Sequence, residues 1–255
     1  MNVYVSLTTI KQNEARVVET LQSIAAQTQL PDKCFIFLSE TPYLADPGFI
    51  NRTIGSQLSE FMTSNALFEL RWCENTGPFR KLLPLLAEKF DEDCLIITID
   101  DDTVYTTTLV EKIVGDFKRH KCCTSNWALT LRHTGDVRGL NYERFAPSMS
   151  NYLYNFHLGK GGVAYHPSFF NQTKNIIFDH EVIKRTCPTN DDVWFNLMRI
   201  ANGISCHSDN LPYMTKDNTN QETALWWNIN ARNRTNSKYM RATIDFLISE
   251  GLLTE

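Results

Sequence analysis

The sequence of 255 residues has no long apolar run, because even stretches such as Cys94 to Ile99 are far shorter than the ~20 residues that cross a membrane. No basic segment followed by an apolar stretch opens the chain, so no signal peptide is predicted. Positive charge is not in excess: the formal net charge is −4, whereas a protein built mainly to hold nucleic acid is usually basic. Membrane-spanning, secreted and nucleic-acid-binding proteins are therefore disfavoured.

The cysteine spacing that would form a zinc ribbon or a redox pair is also missing. The seven cysteines are an odd number, and no C-x-x-C spacing occurs among them. Several lie in apolar, strand-like runs, so we expect free buried thiols and a cytoplasmic location. Charged residues make up 21% and hydrophobic residues 42% of the chain, which is typical of a globular protein. The length suits one α/β domain, and we treat residues 1–255 as one.

The first half of the chain alternates the patterns of strands and helices. Short apolar, β-branched runs predict strands at 3–10, 34–38, 68–73 and 94–99. Helical periodicity predicts helices at 14–26, 54–62, 82–90 and 109–117. The second half is less regular, with strands predicted at 126–131, 163–165 and 204–207 and helices at 192–201 and 239–248. Repeated βα units predict a mostly parallel, Rossmann-type sheet flanked by helices, with ligands bound beyond the carboxyl ends of the strands.

Three consecutive acids, Asp100, Asp101 and Asp102, follow the apolar strand at 94–99. Side chains alternate along a strand, so Asp100 and Asp102 point the same way and meet one ligand together. Carboxylates side by side repel one another unless a cation or a donor offsets them. Oxygen ligands of this kind suit Mg²⁺ or Mn²⁺, which would bridge to a diphosphate. The alternative is a strand-end turn whose acids are solvated or cap the next helix.

This pattern resembles GT-A-fold glycosyltransferases of the family 2-like kind, in which D-x-D follows a buried strand. Further segments in the family's order extend the resemblance over roughly residues 3 to 205. They are Val5-Ser6-Leu7-Thr8-Thr9-Ile10 with Arg16, Leu21 to Gln27 with Pro31-Asp32, Asn75 to Leu82 with its G-P-x-x-K-L character, Gly161-Gly162-Val163-Ala164-Tyr165, and Asn190-Asp191-Asp192-Val193-Trp194. The resemblance implies a nucleotide-binding half at 1–120 and an acceptor-binding half with a C-terminal closure at 121–255.

The resemblance also implies roles for single residues on the donor side. It assigns Thr8, Thr9, Ile10 and Arg16 to the nucleobase pocket and Lys81 to the nucleotide or diphosphate. Of the three acids, Asp100 would contact the ribose, and Asp102 together with Asp100 would bind the metal. Asp101 would contact the ribose or the metal, or simply act as a cap. Gly161 and Gly162 would form a floor under the donor or acceptor sugar, against the alternative of an ordinary turn. His207 is a candidate third metal ligand. The implied cofactor is Mn²⁺ or Mg²⁺, and the implied donor is a nucleotide-sugar, with UDP-sugar favoured.

A second acid pair, Asp191 and Asp192, lies where a helix is predicted to begin. Helix N-termini favour carboxylates, so capping alone is one interpretation. In inverting enzymes of the family, the second acid deprotonates the acceptor hydroxyl, which assigns the base to Asp192 and acceptor orientation to Asp191. The acceptor would be a glycan or a lipid-linked glycan in bacterial surface-glycan synthesis. Tyr165, Trp226 and Trp227 are candidate aromatic platforms for a sugar, against the alternative that they belong to the core.

The basic segment 228–241, with Arg232, Arg234, Lys238 and Arg241, is a candidate lid over the diphosphate. It is also a candidate contact with an anionic membrane surface, or simply a solvated face.

The three acids after the strand at 94–99 also allow other interpretations. Asp100 to Val104 also fits the D-x-D-x-[TV] motif of haloacid-dehalogenase-like phosphatases, in which Asp100 would be a covalent nucleophile. That motif normally follows the first strand of its domain, whereas here three strand–helix units precede it. A nucleotidyltransferase would want a glycine-rich loop near the first strand, and Leu7 to Arg16 contains no glycine. A sugar-nucleotide binding protein without catalytic activity is the third alternative.

Overall fold

The computed structural model describes residues 1–132, 137–222, 224 and 235–254. Its described strands are β1 (Asn2–Thr8), β2 (Lys33–Leu38), β3 (Phe68–Trp72), β4 (Cys94–Thr98), β5 (Thr103–Tyr105), β6 (Cys123–Ser125), β7 (Ala128–Arg132), β8 (Asn141–Pro147), β9 (Asn151–Tyr152), β10 (Asn155–His157), β11 (Val163–Tyr165), β12 (Cys206–His207) and β13 (Met214–Asp217). Its described α-helices are α1 (Glu14–Ala25), α2 (Ser56–Ser64), α3 (Leu83–Glu88), α4 (Leu109–His120), α5 (Lys174–Ile177), α6 (His180–Thr186), α7 (Asp191–Ala201) and α8 (Thr235–Ser249).

Eight strands form the main sheet in the order β3-β2-β1-β4-β11-β6-β12-β9. The first four strands are mutually parallel, and β6 pairs with β12 in parallel. The strand β11 runs antiparallel between β4 and β6, and β9 is antiparallel to β12. The mostly parallel α/β sheet predicted from the sequence is therefore confirmed. Its central strand β4 is buried along its whole length, as expected of a parallel strand with both faces covered.

Two features of the chain differ from the predictions. The predicted helix 82–90 is shorter, because α3 follows a 3₁₀ segment at Gly77–Lys81 that starts at a glycine with φ of 66° followed by Pro78. The polar stretch between β7 and β11, which the sequence left without regular structure, contains β8, β9 and β10. Of these, β8 and β10 flank β7 in a small antiparallel sheet. The residues of β8 are exposed or only partly buried, so the alternation of apolar and polar residues that signals a strand is weak there.

The core joins the main sheet to its helices in one cluster of buried apolar side chains. The helix α8 packs against α7 and α6. All seven cysteines are free, and six of them are buried, as expected from the sequence. Within the described residues, no helix combines the length and apolar composition that crossing a membrane requires.

Candidate active site

A cleft of about 650 Å³ opens at the edge of the sheet where β1 and β4 end. This is the edge at which the strand pattern predicts a ligand. Four segments supply most of its polar lining: Thr8–Ile10 after β1, Gly77–Lys81 before α3, Ile99–Asp102 after β4, and Thr189–Asp192 at the start of α7. The cleft thus brings together both acid clusters that the sequence singles out, although about 90 residues separate them along the chain.

Lys81 connects the two acid clusters. Its Nζ lies 2.7 Å from Oδ1 of Asp100 and 2.8 Å from Oδ2 of Asp191, and its side chain is almost fully buried. Burial alone would lower the pKa of Lys81, but the carboxylates of Asp100, Asp191 and Asp192 outweigh it and hold the pKa well above its usual range. Lys81 is therefore a permanent cation in this environment. We call Lys81, Asp100, Asp191 and Asp192 the acid junction.

Asp191 and Asp192 are not needed to cap α7. The side chain of Asn190 already accepts a hydrogen bond from the backbone N–H of Val193 at 2.9 Å, which is the ordinary N-cap arrangement. Asp191 instead pairs with Lys81, and Asp192 accepts a hydrogen bond through Oδ1 from the backbone N–H of Gly159 at 3.0 Å. Both acids face the cleft. The capping interpretation of the acid pair therefore does not explain its position.

Burial is the main cause that raises the pKa of Asp192 to about 8, and the neighbouring charge of Asp191 adds to it. The pKa of Asp191 is also raised by burial, but the cation of Lys81 opposes this shift. A carboxyl whose pKa lies near neutral pH takes up and releases protons most effectively. Of the two acids, Asp192 is thus the better placed to exchange a proton with a ligand.

Asp101 ties the end of β4 to the end of β1. Its Oδ2 accepts a short hydrogen bond from the hydroxyl of Thr9 and another from Nδ2 of Asn13 at 3.2 Å. Its backbone carbonyl accepts a bond from the Thr20 hydroxyl at 2.9 Å. Burial, together with the charge of Asp102, raises the pKa of Asp101 to about 7. Asp101 therefore holds the first strand loop in place and still lines the cleft with Thr8, Thr9 and Ile10.

Asp102 directly precedes β5, which pairs antiparallel with β13. Burial and the negative charge of Asp100 raise its pKa, and Asp217 adds to the repulsion while Lys160 opposes it. Lys160 is itself engaged, with Nζ 2.7 Å from Oδ2 of Asp217 and 2.8 Å from the Thr219 hydroxyl. The carboxylates of Asp100 and Asp102 thus form a hard-oxygen set with surplus negative charge. Such a set fits Mg²⁺ or Mn²⁺, which bind through one or two carboxylates and complete their shell with water and phosphate.

Three residues predicted for the site lie elsewhere. Arg16 is exposed on α1 and does not line the cleft. His207 lies on β12, three strands away from β4 and so roughly 14 Å across the sheet, where it stacks on His120. It cannot share a metal ion with Asp102 at that distance, which corrects the predicted third ligand. Tyr165 is buried in the core with its hydroxyl 3.1 Å from Nε2 of His157, so it offers no platform to a sugar.

Gly161 and Gly162 lie behind the cleft wall and do not line it. A Cβ on Gly161 would come within 2.6 Å of the Trp127 Cβ, and Gly162 has a φ of 74° beside Leu109. The glycine that faces the acid junction is Gly159. A Cβ there would lie 2.7 Å from the Lys81 Nζ and 2.9 Å from the Asp192 Oδ1. Gly159, two residues before Gly161 in the same glycine-rich turn, is therefore the glycine that packs against the acid junction.

The structure adds cleft residues that the sequence did not indicate. Lys160, Asp217 and Thr219 line its mouth. The aromatic and apolar side chains that form the opposite wall are Trp127, Leu129, Tyr142, Phe145 and Leu158. For these cleft residues, the sequence offered one signal only, which is that Lys160 lies next to the predicted glycine turn. The predicted platforms Trp226 and Trp227, and the arginines Arg232 and Arg234 of the basic segment, lie outside the described residues, whereas Lys238 and Arg241 are exposed on α8.

No protein-family model matches the chain, and no curated protein matches it in sequence. Solved structures do match. Residues 1–349 of TarS from S. aureus superpose with a TM-score of 0.52 at 15% identity, covering 84% of this chain and 60% of that one. The same TarS fragment in complex with UDP-GlcNAc gives a TM-score of 0.52 at 13% identity, covering 86% and 60%. A longer TarS structure gives a TM-score of 0.52 at 15% identity, covering 98% and 42%.

These matches show a similarity of fold. This chain spans 60% or less of the length of those TarS structures. TarS is a glycosyltransferase with a GT-A-like fold, and the α/β architecture described above is GT-A-like as well.

Proposed function

We propose that this protein transfers a sugar from a nucleotide diphosphate donor, with UDP-sugar favoured, to a hydroxyl group of a glycan acceptor, with inversion and with Mn²⁺ or Mg²⁺ bound. One observation carries the proposal: the acids after β4 and the acids that open α7 meet in one cleft, joined by Lys81. A transferase of this type needs one acid cluster for the donor and one for the acceptor on opposite sides of the reacting carbon. The GT-A-like fold and the UDP and UDP-GlcNAc complexes of TarS support the choice of donor.

On the donor side, Thr8, Thr9 and Ile10 form the end of β1 against which the nucleobase would lie. Asp101 accepts a hydrogen bond from the hydroxyl of Thr9, which links this loop to the acids after β4. Asp100 is assigned to the ribose and, with Asp102, to the cation. When bound, the cation would offset charge on the departing diphosphate.

On the acceptor side, Asp192 is the base. Its Oδ1 is held by the N–H of Gly159, which leaves Oδ2 to take the proton of the acceptor hydroxyl. As that proton leaves, the acceptor oxygen forms its bond to the anomeric carbon, and the bond from this carbon to the diphosphate breaks with its electron pair passing to the diphosphate. Asp191, which pairs with Lys81, is assigned to orienting the acceptor. The aromatic wall that includes Trp127, Tyr142 and Phe145 suits the flat apolar face of an acceptor sugar.

The seven free cysteines favour a cytoplasmic location for this reaction. A lipid-linked acceptor and peripheral contact with the inner face of the membrane are compatible with Lys238 and Arg241, which are exposed on α8. Synthesis of a bacterial surface glycan would then be the setting.

Calorimetric titration with UDP, GDP and CDP, each with and without Mn²⁺, tests the donor side. We expect one nucleotide to bind in a Mn²⁺-dependent manner, and we expect Asp102→Asn to abolish that dependence because the variant removes a negative charge from the cation site. Asp91→Asn, at a fully exposed surface position, is the matched control and should bind like the wild type. Binding of none of the nucleotides would overturn the proposal. Binding without turnover of any nucleotide-sugar would favour a sugar-nucleotide binding protein without catalytic activity.

Gly159→Ala tests the position of the base. The added methyl group would come within 3 Å of both the Lys81 Nζ and the Asp192 Oδ1, so the acid junction must shift. We expect transfer to fall by about 10- to 100-fold, because small displacements of a catalytic group have effects of this size. Gly115→Ala is the control: its Cβ would meet nothing within 4 Å on α4, so activity should be unchanged and the free energy of unfolding should rise by up to about 1 kcal/mol. Equal activities for the two variants would contradict the assigned geometry.

A further inference from the structure

A second cluster of ligating side chains lies at β12, three strands away from β4 in the main sheet. Asp116 and His120 are four residues apart on the last turn of α4, so they share one face of that helix. His207 reaches the same place from β12. One ligand atom from each of the three lies within 4.8 Å of the other two. Among the residues that the structure describes, this is the one group of three acids, histidines or cysteines that converges so closely.

The burial of His207 gives independent support for a ligand. Its side chain is only 2% exposed, yet its Nε2 makes no hydrogen bond within the described residues. The carboxylate of Asp209 lies 3.4 Å from that nitrogen, and the Ser150 hydroxyl lies 3.5 Å from Nδ1 on the other side of the ring. A buried ring nitrogen without a hydrogen bond is costly, because the atom has lost its water. A bound cation would satisfy it while Ser150 orients the ring, as a second-shell partner does in many metal sites.

Holding an ion requires the ligand atoms to close up and one histidine ring to turn. Ligand atoms bound tetrahedrally to one Zn²⁺ at about 2.0–2.1 Å are about 3.3–3.4 Å apart, so a pair of ligand atoms separated by 4.8 Å must close by roughly 1.5 Å. The rings of His120 and His207 now stack, with centroids 3.8 Å apart and planes 18° from parallel. Ring nitrogens coordinate within the plane of the ring, so His120 must turn about its side-chain torsions. It has room to do so, because it is partly exposed at the end of α4.

We propose that Asp116, His120 and His207 form a binding site for a divalent transition-metal cation, Zn²⁺ in particular, that clamps the end of α4 to β12. Two imidazoles and one carboxylate are a donor set for Zn²⁺ rather than for Mg²⁺, which prefers oxygen ligands. The carboxyl end of a helix also favours positive charge. The site is separate from the cation site of the cleft, since three strand spacings lie between β12 and β4. The proposal is therefore independent of the proposed transfer reaction.

The test is Zn²⁺ and Co²⁺ titration of the full chain, with a non-thiol reductant and excess Mg²⁺ present to occupy the cleft. We expect one Zn²⁺ per chain, a rise in Tm on binding, and a tetrahedral Co²⁺ absorption spectrum without a thiolate band. His120→Ala and Asp116→Asn, both at partly exposed positions, should each weaken binding by about tenfold or more and remove the rise in Tm. The matched control is His166→Ala. It breaks the pair in which His166 Nε2 lies 3.2 Å from Asp93 Oδ1, and among the described residues no third potential metal ligand converges on that pair.

Several results would overturn the proposal. The wild type could fail to bind Zn²⁺, or His120→Ala and Asp116→Asn could both bind it with unchanged affinity. The Co²⁺ spectrum could show a thiolate band. Binding could also be lost in Asp102→Asn but not in His120→Ala. The last result would place the ion in the cleft. Because two variants remove different ligands, misfolding of one leaves the other as a complete test.

Discussion

Asp192→Asn is expected to lower the rate of transfer by about 10²- to 10⁴-fold while nucleotide binding is kept, which is the range that a positioned general base contributes. Asparagine has the same shape as aspartate, and its Oδ1 can still accept the hydrogen bond from the Gly159 N–H. The variant cannot take a proton at the other position. Steady-state kinetics and calorimetric titration with the donor nucleotide measure the two effects separately.

The pH profile is the second part of this measurement. Burial raises the pKa of Asp192 to about 8, and the base works in its deprotonated form. The wild-type kcat/KM should therefore increase as the pH rises towards about 8 and level off above it. The residual activity of Asp192→Asn should lack this rise. Asp191→Asn, which weakens the pairing with Lys81 but leaves the base, should lose less activity. A larger loss in Asp191→Asn than in Asp192→Asn would reverse the two assignments.

The sequence was sufficient to predict the elements that carry local signals. The strand predicted at 94–99 is buried throughout as β4, and the helix predicted at 192–201 is observed at Asp191–Ala201. Because parallel strands bring their carboxyl ends to one edge, the location of the cleft followed from the strand pattern alone. Each of these inferences depends on residues that are neighbours in the sequence.

Contacts between distant residues could not be predicted in the same way. Nothing in the segment around Lys81 indicates that it pairs with Asp191, since 110 residues separate the two. The choice among Gly159, Gly161 and Gly162 depends on which of them faces the cleft, and all three lie in one short glycine-rich turn. His207 was assigned to the cleft, whereas it lies beside Asp116 and His120, which are on a helix far away in sequence.

Lys81 illustrates how much a contact between distant residues contributes to stability, because it is the cation that offsets the charge of the acids in the acid junction. Lys81→Met keeps the length and the apolar stem of the side chain but leaves the buried carboxylate of Asp191 and the partly buried carboxylate of Asp100 without it. Removing one partner of a buried ion pair typically costs about 3–5 kcal/mol, so we expect a fall of this size in the free energy of unfolding. Urea denaturation followed by circular dichroism measures it.

The loss in Lys81→Met should also depend on pH, in a direction that a packing defect would not show. Without Lys81, the pKa values of Asp191 and Asp192, which burial already raises, increase further above those of the unfolded chain. Such groups destabilise the folded state when they must ionise, and the destabilisation decreases as the pH falls through the raised pKa values. The difference between the variant and the wild type should therefore shrink as the pH is lowered. Lys118→Met, at an exposed position on α4, should change the stability by no more than about 0.5 kcal/mol at any pH. A loss in Lys81→Met that stays constant with pH would show that the lysine serves mainly as packing, with little part in neutralising the acids.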